Sequence, residues 1–465
     1  MMNNFTSVIA AVSTPPGKGG VAIIRISGDG ALLIADRVFK PKSEKPFKCA
    51  EPRKQIRGDI YYSNEIIDDG MATYFKAPFS YTGEETVEIA CHGGMLVTSL
   101  VLEAVFAAGA VPAEAGEFTK RAFINGKISL VEAEAVGNLL EAESKAQIKL
   151  ASSKSRTALA ESINAIRQSL TALLSSIYAR IDYPDEDLGD FTDEEALEIL
   201  KDAREKIGSL ISTYLTGKAV SDGIKTVICG KPNVGKSSLY NLIVGYDAAI
   251  VTDIEGTTRD VLTEKIPLGN VMLKLYDTAG VRSSEKADQI EKIGIGKSLD
   301  KISDAELVLS VFDASRELDS DDLKIIAATK ESSAYSVAVL NKCDLQRKID
   351  SDKIKNSFDS IIEISAVGNP VTALAEIRNI VTTVFTDEKI SIGEDAIISS
   401  ARQNSALTSA LMMTEAAIDS LNAGMSQDAV SSDIEKALGR IAELDGRAVS
   451  EEVVADIFSK FCVGK

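Results

Sequence analysis

Two hydrophobic periods divide this chain. Leu170, Leu173, Leu174, Ile177 and Ile181 fall at i, i+3, i+4, i+7 and i+11, one face of a helix. Helical patterning continues to about Leu215 and resumes after residue 395, where Leu407, Leu411, Ile418 and Leu421 share a face. Residues 1 to about 120 instead mix strand-like stretches with Gly/Pro turns: Ser7–Val12, Val21–Ile26 around the turn Thr14–Gly20, and Thr86–Ile89 before Cys91-His92-Gly93-Gly94. Between the helical stretches lie four short apolar runs, Thr226–Cys229, Val271–Tyr276, Ser336–Leu340 and Ile361–Ile364, each ending in a polar motif. The pattern predicts a multidomain protein, α/β plus α+β: an N-terminal α+β domain (1–120), a helical domain in two parts (121–219 and 386–465), and an inserted Ras-like P-loop domain (220–385). Gly217–Gly223 and Ser391–Glu394 read as the junctions.

The polar motifs carry the chemistry. Gly230-Lys231-Pro232-Asn233-Val234-Gly235-Lys236-Ser237 fits G-x-x-x-x-G-K-S after a strand. Its backbone N–H groups suit a phosphate chain, Lys236 the terminal phosphates, and the Ser237 hydroxyl a magnesium ion, with Ser238 beside it at the helix start. Asp277-Thr278-Ala279-Gly280 supplies a carboxylate for magnesium through water and an N–H that senses a terminal phosphate. Asn341-Lys342-Cys343-Asp344 supplies a carboxylate able to accept two bonds from guanine, so Asp344 argues for GTP over ATP. Ser365-Ala366 would support the base, and Thr258, after Asp253-Ile254-Glu255-Gly256-Thr257, would complete the magnesium shell.

Composition narrows the setting. Apolar content of 45% suits globular cores, and no run approaches the ~20 residues of a membrane span. Met1–Val8 has neither a signal-peptide nor a transit-peptide pattern. Cys49, Cys91, Cys229, Cys343 and Cys462 lack metal-ligand spacing, and two lie in nucleotide motifs, so a reducing cytoplasm is expected. With 51 basic against 69 acidic residues, net −18, the chain is a poor lone binder of nucleic acid. A partner gripping RNA and a charge kept for solubility both fit that balance. His92, the one histidine, reads as part of a packed polar turn.

The ends of the chain make the reading specific. Ser13-Thr14-Pro15-Pro16-Gly17-Lys18-Gly19-Gly20 followed by Val21–Gly28, then Ser80-Tyr81-Thr82-Gly83-Glu84-Glu85, Gly116–Lys127 and the final Phe461-Cys462-Val463-Gly464-Lys465 closely resemble the MnmE (TrmE) family of tRNA-modification GTPases over nearly the full length. The resemblance implies a homodimer acting with a flavin-dependent MnmG-like partner, as a heterotetramer or larger, on carbon 5 of the tRNA wobble uridine. The group installed would be aminomethyl or carboxymethylaminomethyl, and tRNA would be held largely through the partner. It implies a tetrahydrofolate (5,10-methylene or 5-formyl) held by Arg25, Glu88, Lys127 and Lys465, and potassium held by Asn233, Thr252, Ile254 and Thr257. Val281 stands where many GTPases carry a water-orienting Gln, and Glu291 would take that role; Cys462 would lie near the modification chemistry. From the residues alone, Glu291 is a solvated helix carboxylate, Cys462 a small buried apolar residue, Arg25 and Glu88 strand-edge charges and Lys127 a solvated lysine. Ala115 and Ser129 depart from the family pattern, which usually has Pro and Asp there. The competing reading is a ribosome-assembly GTPase of the Era or EngA type, which predicts a basic RNA-binding module after the G domain.

Overall fold

The computed structural model describes residues 7–43, 45–182, 192–245, 263–276, 302–459 and 461–464. They form two units, residues 1–137 with 438–465 and residues 138–437.

In the first unit, β1 (Ile9–Val12), β2 (Val21–Ser27), β3 (Phe39–Pro41), β4 (Gln55–Tyr62), β5 (Glu65–Phe75), β6 (Thr86–His92) and β7 (Val111–Pro112) form a sheet of order β3-β4-β5-β6-β2-β1-β7. Period-two alternation sorts the residues of the central strands. Ala22, Ile24 and Ile26 of β2 and Val87, Ile89 and Cys91 of β6 are buried. They meet Ile34 and Val38 of the helix Ala31–Val38 and Val101 and Val105 of the helix Met95–Ala107. Arg25 and Glu88, out of phase with that set, are antiparallel partners on the other face. Strands β4 and β5 are long but poorly alternating. Gly58 and Gly70 sit where a Cβ would come within 2.4 Å of the Lys40 carbonyl and 2.2 Å of the Ala90 carbonyl. His92 ends β6, and its exposed ring pairs with Asp68 at 2.7 Å, so it is a strand-end ion-pair residue and not part of a packed turn.

The end of the chain returns to this unit. Phe458 and Phe461 join Leu130, Ala133 and Val454 in a small core. Val463 bridges to Ala115. Gly464, at φ +97°, leaves no room for a side chain, since a Cβ there would lie 2.2 Å from the Val12 carbonyl.

In the second unit the helix Asp193–Ser212 packs against both Ser153–Asp182 and Ala401–Asn422. Leu170, Leu173 and Ile177 are buried, and Leu407 and Ile418 are buried together with Ala406, Ala410 and Ala417. Capping boxes at Thr192/Glu195 and Ser400/Gln403 start two of these helices. Gly217 is not a loop junction. It lies inside the helix Tyr214–Ser221, where a Cβ would sit 2.1 Å from the Ile398 carbonyl, so glycine lets two chain segments touch. That helix feeds β8 (Ile224–Gly230). With β9 (Thr263–Leu268), β10 (Val271–Tyr276), β11 (Leu307–Asp313), β12 (Tyr335–Asn341) and β13 (Ser360–Glu363), β8 forms a sheet of order β13-β12-β11-β8-β10-β9. Every neighbouring pair is parallel except β10–β9. Strand β8 is therefore a switch point, with β10 on one side and β11 on the other, where open α/β sheets bind ligands beyond their carboxyl ends. Among the described residues no helix is long and apolar enough to cross a membrane.

Candidate functional site

The phosphate loop starts at the carboxyl end of β8 and feeds the helix Lys236–Gly245. Three of its residues have positive φ: Gly230 at 148°, Asn233 at 63° and Gly235 at 103°. The glycines also answer to crowding. A Cβ on Gly230 would meet the Val311 carbonyl at 2.5 Å, and one on Gly235 would meet the Asn341 amide at 2.1 Å. Lys236 folds back so that its ammonium donates to the Lys231 carbonyl at 2.7 Å. Ser237 and Ser238 occupy the first turn of the helix, where backbone N–H groups face an anion.

The base-side motifs stand at the ends of β12 and β13. Buried Asn341 donates through Nδ2 to the Val234 carbonyl at 2.9 Å and accepts from the Ala366 N–H at 3.0 Å, tying loop, β12 end and β13 end together. Lys342 donates to the Asn233 carbonyl at 2.7 Å. Ser365 Oγ donates to Asp344 Oδ1 at 2.5 Å and accepts from the Gly368 N–H at 2.9 Å, which orients an otherwise exposed carboxylate. The geometry thus joins Asn233, Val234, Gly235, Lys236, Ser237, Asn341, Lys342, Asp344, Ser365 and Ala366 in one place. Thr252, Asp253, Ile254, Glu255, Gly256, Thr257, Thr258, Asp277, Thr278, Ala279, Gly280 and Glu291 lie outside the described residues.

Two residues that the motifs do not include complete the site. Asp313, at the end of β11, accepts from Lys342 Nζ at 2.6 Å and from Ser315 Oγ and N–H at 2.6 and 2.9 Å. Burial pushes its carboxyl up, but those bonds outweigh burial and hold it below the ordinary carboxylate range. Asp319 caps the helix Ser320–Glu331 and pairs with Lys231. That bond, with the capping N–H groups, brings its carboxyl to about 2. The signal for both was their place: an acid at the end of an apolar run, and one just before a helix. Cys229 under the loop is fully enclosed, and burial raises its thiol to about 11, a structural and not a reactive cysteine.

The first unit holds a second constellation. Nε and Nη2 of Arg25 both reach Glu88 Oε1 at 2.9 Å. The guanidinium lies 5.8 Å from the Tyr81 ring centre and 5.6 Å from that of Phe118. Arg25 Nη1 also approaches the Gly464 carbonyl at 3.5 Å, and Ser13 Oγ donates to the same carbonyl at 3.1 Å. Glu88 Oε2 makes no hydrogen bond among the described residues. Lys127 is exposed and donates to the Pro78 carbonyl at 3.0 Å, its stem packed on Gly83 of the Ser80–Glu85 loop. That loop is anchored beneath by fully buried Arg121, paired with Glu84 at 3.2 Å and Glu117 at 2.7 Å. Cys462 is exposed, so it is not a small buried apolar residue. Lys465 lies outside the described residues.

The family described as MnmE helical domain matches residues 130–462, and the family described as GTP-binding protein TrmE N-terminus matches residues 8–127. The chain is 39% identical over 461 residues to the tRNA modification GTPase MnmE of Thermoanaerobacter pseudethanolicus, covering 98% of this chain and 99% of that one. It is 40% identical over 463 residues to the protein of the same name from Thermotoga maritima, and 38% identical over 459 residues to that from Clostridioides difficile, each covering 98% of this chain and 99% of the relative. Among solved structures, Era of Aquifex aeolicus bound to GDP.AlF4- is 24% identical, with a TM-score of 0.27, covering 42% of this chain and 66% of that one.

Proposed function

The chain belongs to the MnmE family of tRNA modification GTPases, and from that membership we propose that it hydrolyses GTP in a potassium-dependent cycle serving modification of the tRNA wobble uridine at carbon 5. A flavin-dependent MnmG-like partner and a tetrahydrofolate one-carbon unit, in the 5,10-methylene or 5-formyl form, supply the remaining chemistry. The group added is aminomethyl or carboxymethylaminomethyl. The protein works as a homodimer, assembles with its partner into a heterotetramer or larger, and meets tRNA largely through that partner, in keeping with its net charge of −18.

The observation that carries this reading is the coexistence, in one chain, of a guanine-reading pocket and the Arg25–Glu88 constellation. Asp344, oriented by Ser365, reads the N–H edge of guanine. The phosphate-loop N–H groups and Lys236 hold phosphates. Ser237, Thr258 and, through water, Asp277 present hydroxyl and carboxylate oxygens of the kind magnesium takes. Asn233, with Thr252, Ile254 and Thr257, would hold potassium. When bound, that cation neutralises charge that builds between the phosphates in the transition state. Glu291 orients the attacking water.

The residues of the first unit suit a folate. The Arg25 cation lies over the Tyr81 and Phe118 rings, and Glu88 has an oxygen that makes no hydrogen bond among the described residues and would meet an amino-pterin edge, while Lys127 and Lys465 would offer cations to an anionic tail. The family relatives over 98% of the chain favour this reading over a ribosome-assembly GTPase.

Nucleoside mass spectrometry of tRNA from a strain lacking this gene tests the proposal. Wobble uridines without their carbon-5 substituent are expected, and unchanged wobble uridines would sink it. In vitro, GTP turnover should be much faster in potassium than in sodium; equal rates would remove the cation from the mechanism.

A further inference from the structure

Two successive peptide planes of the phosphate loop are held from one side. The Asn233 carbonyl accepts from Lys342 and the Val234 carbonyl from Asn341, at 2.7 and 2.9 Å. In a trans peptide the N–H of the next residue points opposite to the carbonyl. Holding these carbonyls therefore turns the N–H groups of Val234 and Gly235 to the opposite side of the loop, where successive N–H groups form an anion-binding concavity. Asn233 itself sits at φ +63°, in the left-handed region that asparagine enters more readily than other residues with a side chain, and the Lys342 bond fixes the peptide plane that follows it.

The hold is only as firm as Lys342. A lysine ammonium is a point charge on a flexible four-carbon stem, without the fixed fork of an arginine. Its second partner is Asp313 Oδ2 at 2.6 Å. Asp313 is itself fixed: its side chain is only 10% exposed, and its other oxygen takes both the N–H and the hydroxyl of Ser315. The chain of contacts runs from Ser315 to Asp313 to Lys342 to the Asn233 carbonyl.

We propose that Asp313 is a positioning residue for nucleotide binding: it anchors Lys342, and through Lys342 it sets the Asn233–Val234 peptide plane so that the phosphate-loop N–H groups face the nucleotide. Because GDP and GTP share those donors, both should depend on it.

The test is a double-mutant cycle on the full chain, read as GDP affinity by calorimetry. Asp313→Asn keeps the shape and removes the charge, and should weaken GDP binding by ~10-fold or more, the scale of one charge-assisted hydrogen bond. Asp313→Glu should recover most of that loss. In the Lys342→Met background, adding Asp313→Asn should change affinity by less than about twofold, because the residue it acts through is gone. Should Asp313→Asn fail to fold, Ser315→Ala removes the hydroxyl, one of the two donors to Asp313 Oδ1, while the Ser315 N–H stays, and without changing charge it should weaken GDP binding while leaving the apo thermal midpoint in place. GDP affinity unchanged in Asp313→Asn, or in Ser315→Ala where that variant stands in, overturns the proposal. So do losses that multiply in the double variant, which would assign Asp313 a role independent of Lys342.

Discussion

The guanine-nucleotide pocket and the Arg25 constellation, proposed to hold a folate, each gather a few polar groups in one place, and the chain builds them in opposite ways. The pocket uses short continuous motifs at the carboxyl ends of parallel strands. Residues 230–238 start at the last residue of β8, 341–344 at the last residue of β12, and 365–366 follow β13, so each motif arrives with its own geometry. The constellation in the first unit has no such unit of sequence. Arg25 and Glu88 meet because they are register partners in an antiparallel pair, and the carbonyl that joins them belongs to Gly464, 439 residues from Arg25. One site depends on loop conformation, the other on register and on the return of the chain end. They should therefore fail in different ways.

The largest expected effect is in the pocket. Asp344→Asn replaces a carboxylate that accepts from guanine by an amide that suits xanthine. GTP affinity should drop by about 2–3 kcal/mol, or ~30- to 150-fold. Xanthosine triphosphate should bind the variant better than the parent, as competition against a fluorescent nucleotide would report. Equal loss of both nucleotides would mean that Asp344 supports the loop and does not read the base.

In the first unit the vulnerable point is conformational. Gly464→Ala puts a methyl group 2.2 Å from the Val12 carbonyl at a φ of +97°. It should destabilise that unit by about 1–3 kcal/mol, from steric conflict and left-handed strain. GTP turnover should be untouched, because no nucleotide motif is involved. Chemical denaturation followed by tyrosine fluorescence would measure the loss, and a stability equal to the parent would show that the close approach of Gly464 to Val12 does not hold that unit together.

A smaller effect separates the two regions by pH. The Asp319 carboxyl sits at about 2 against an ordinary 3.8, held down first by the bond from Lys231. A depressed folded-state value means that the pair stabilises the folded state above pH 3.8, and that this contribution is lost as pH falls from there through about 2. The pair is partly exposed, so screening keeps the contribution small. Asp319→Asn should flatten that part of the acid-stability curve of the nucleotide-binding domain. An unaltered curve would show the pair to be energetically idle.

The same contrast explains what could be read in the sequence. The pocket was legible because its motifs are contiguous and follow apolar runs; the predicted strands 226–229, 271–276, 336–340 and 361–364 overlap β8, β10, β12 and β13. Asp313 is marked in the sequence only by its place, an acid at the end of an apolar run, and its role shows only once its partner Lys342 is placed beside it. The Arg25–Glu88 pair was legible only through family resemblance, since register cannot be deduced from two strands distant in sequence. Strands β4 and β5 were obscured by Gly58 and Gly70, whose role is close approach and not a turn. Gly217 misled for the same reason, as a glycine inside a helix with the Ile398 carbonyl against it. His92 reads as a turn residue in the sequence because its partner Asp68 is 24 residues away on the neighbouring strand.

One chain is thus proposed to carry two ligand sites, built by separate rules and separable by mutation. The most direct measurement titrates both ligands, GTP and tetrahydrofolate, into the same two variants by calorimetry. Arg25→Ala should lose ~10-fold or more in tetrahydrofolate affinity, the scale of a charge-assisted contact, and keep parental GTP affinity. Asp344→Asn should show the reverse. Parental folate binding by Arg25→Ala, or a loss of GTP affinity in that variant comparable to its loss of folate affinity, would contradict the account.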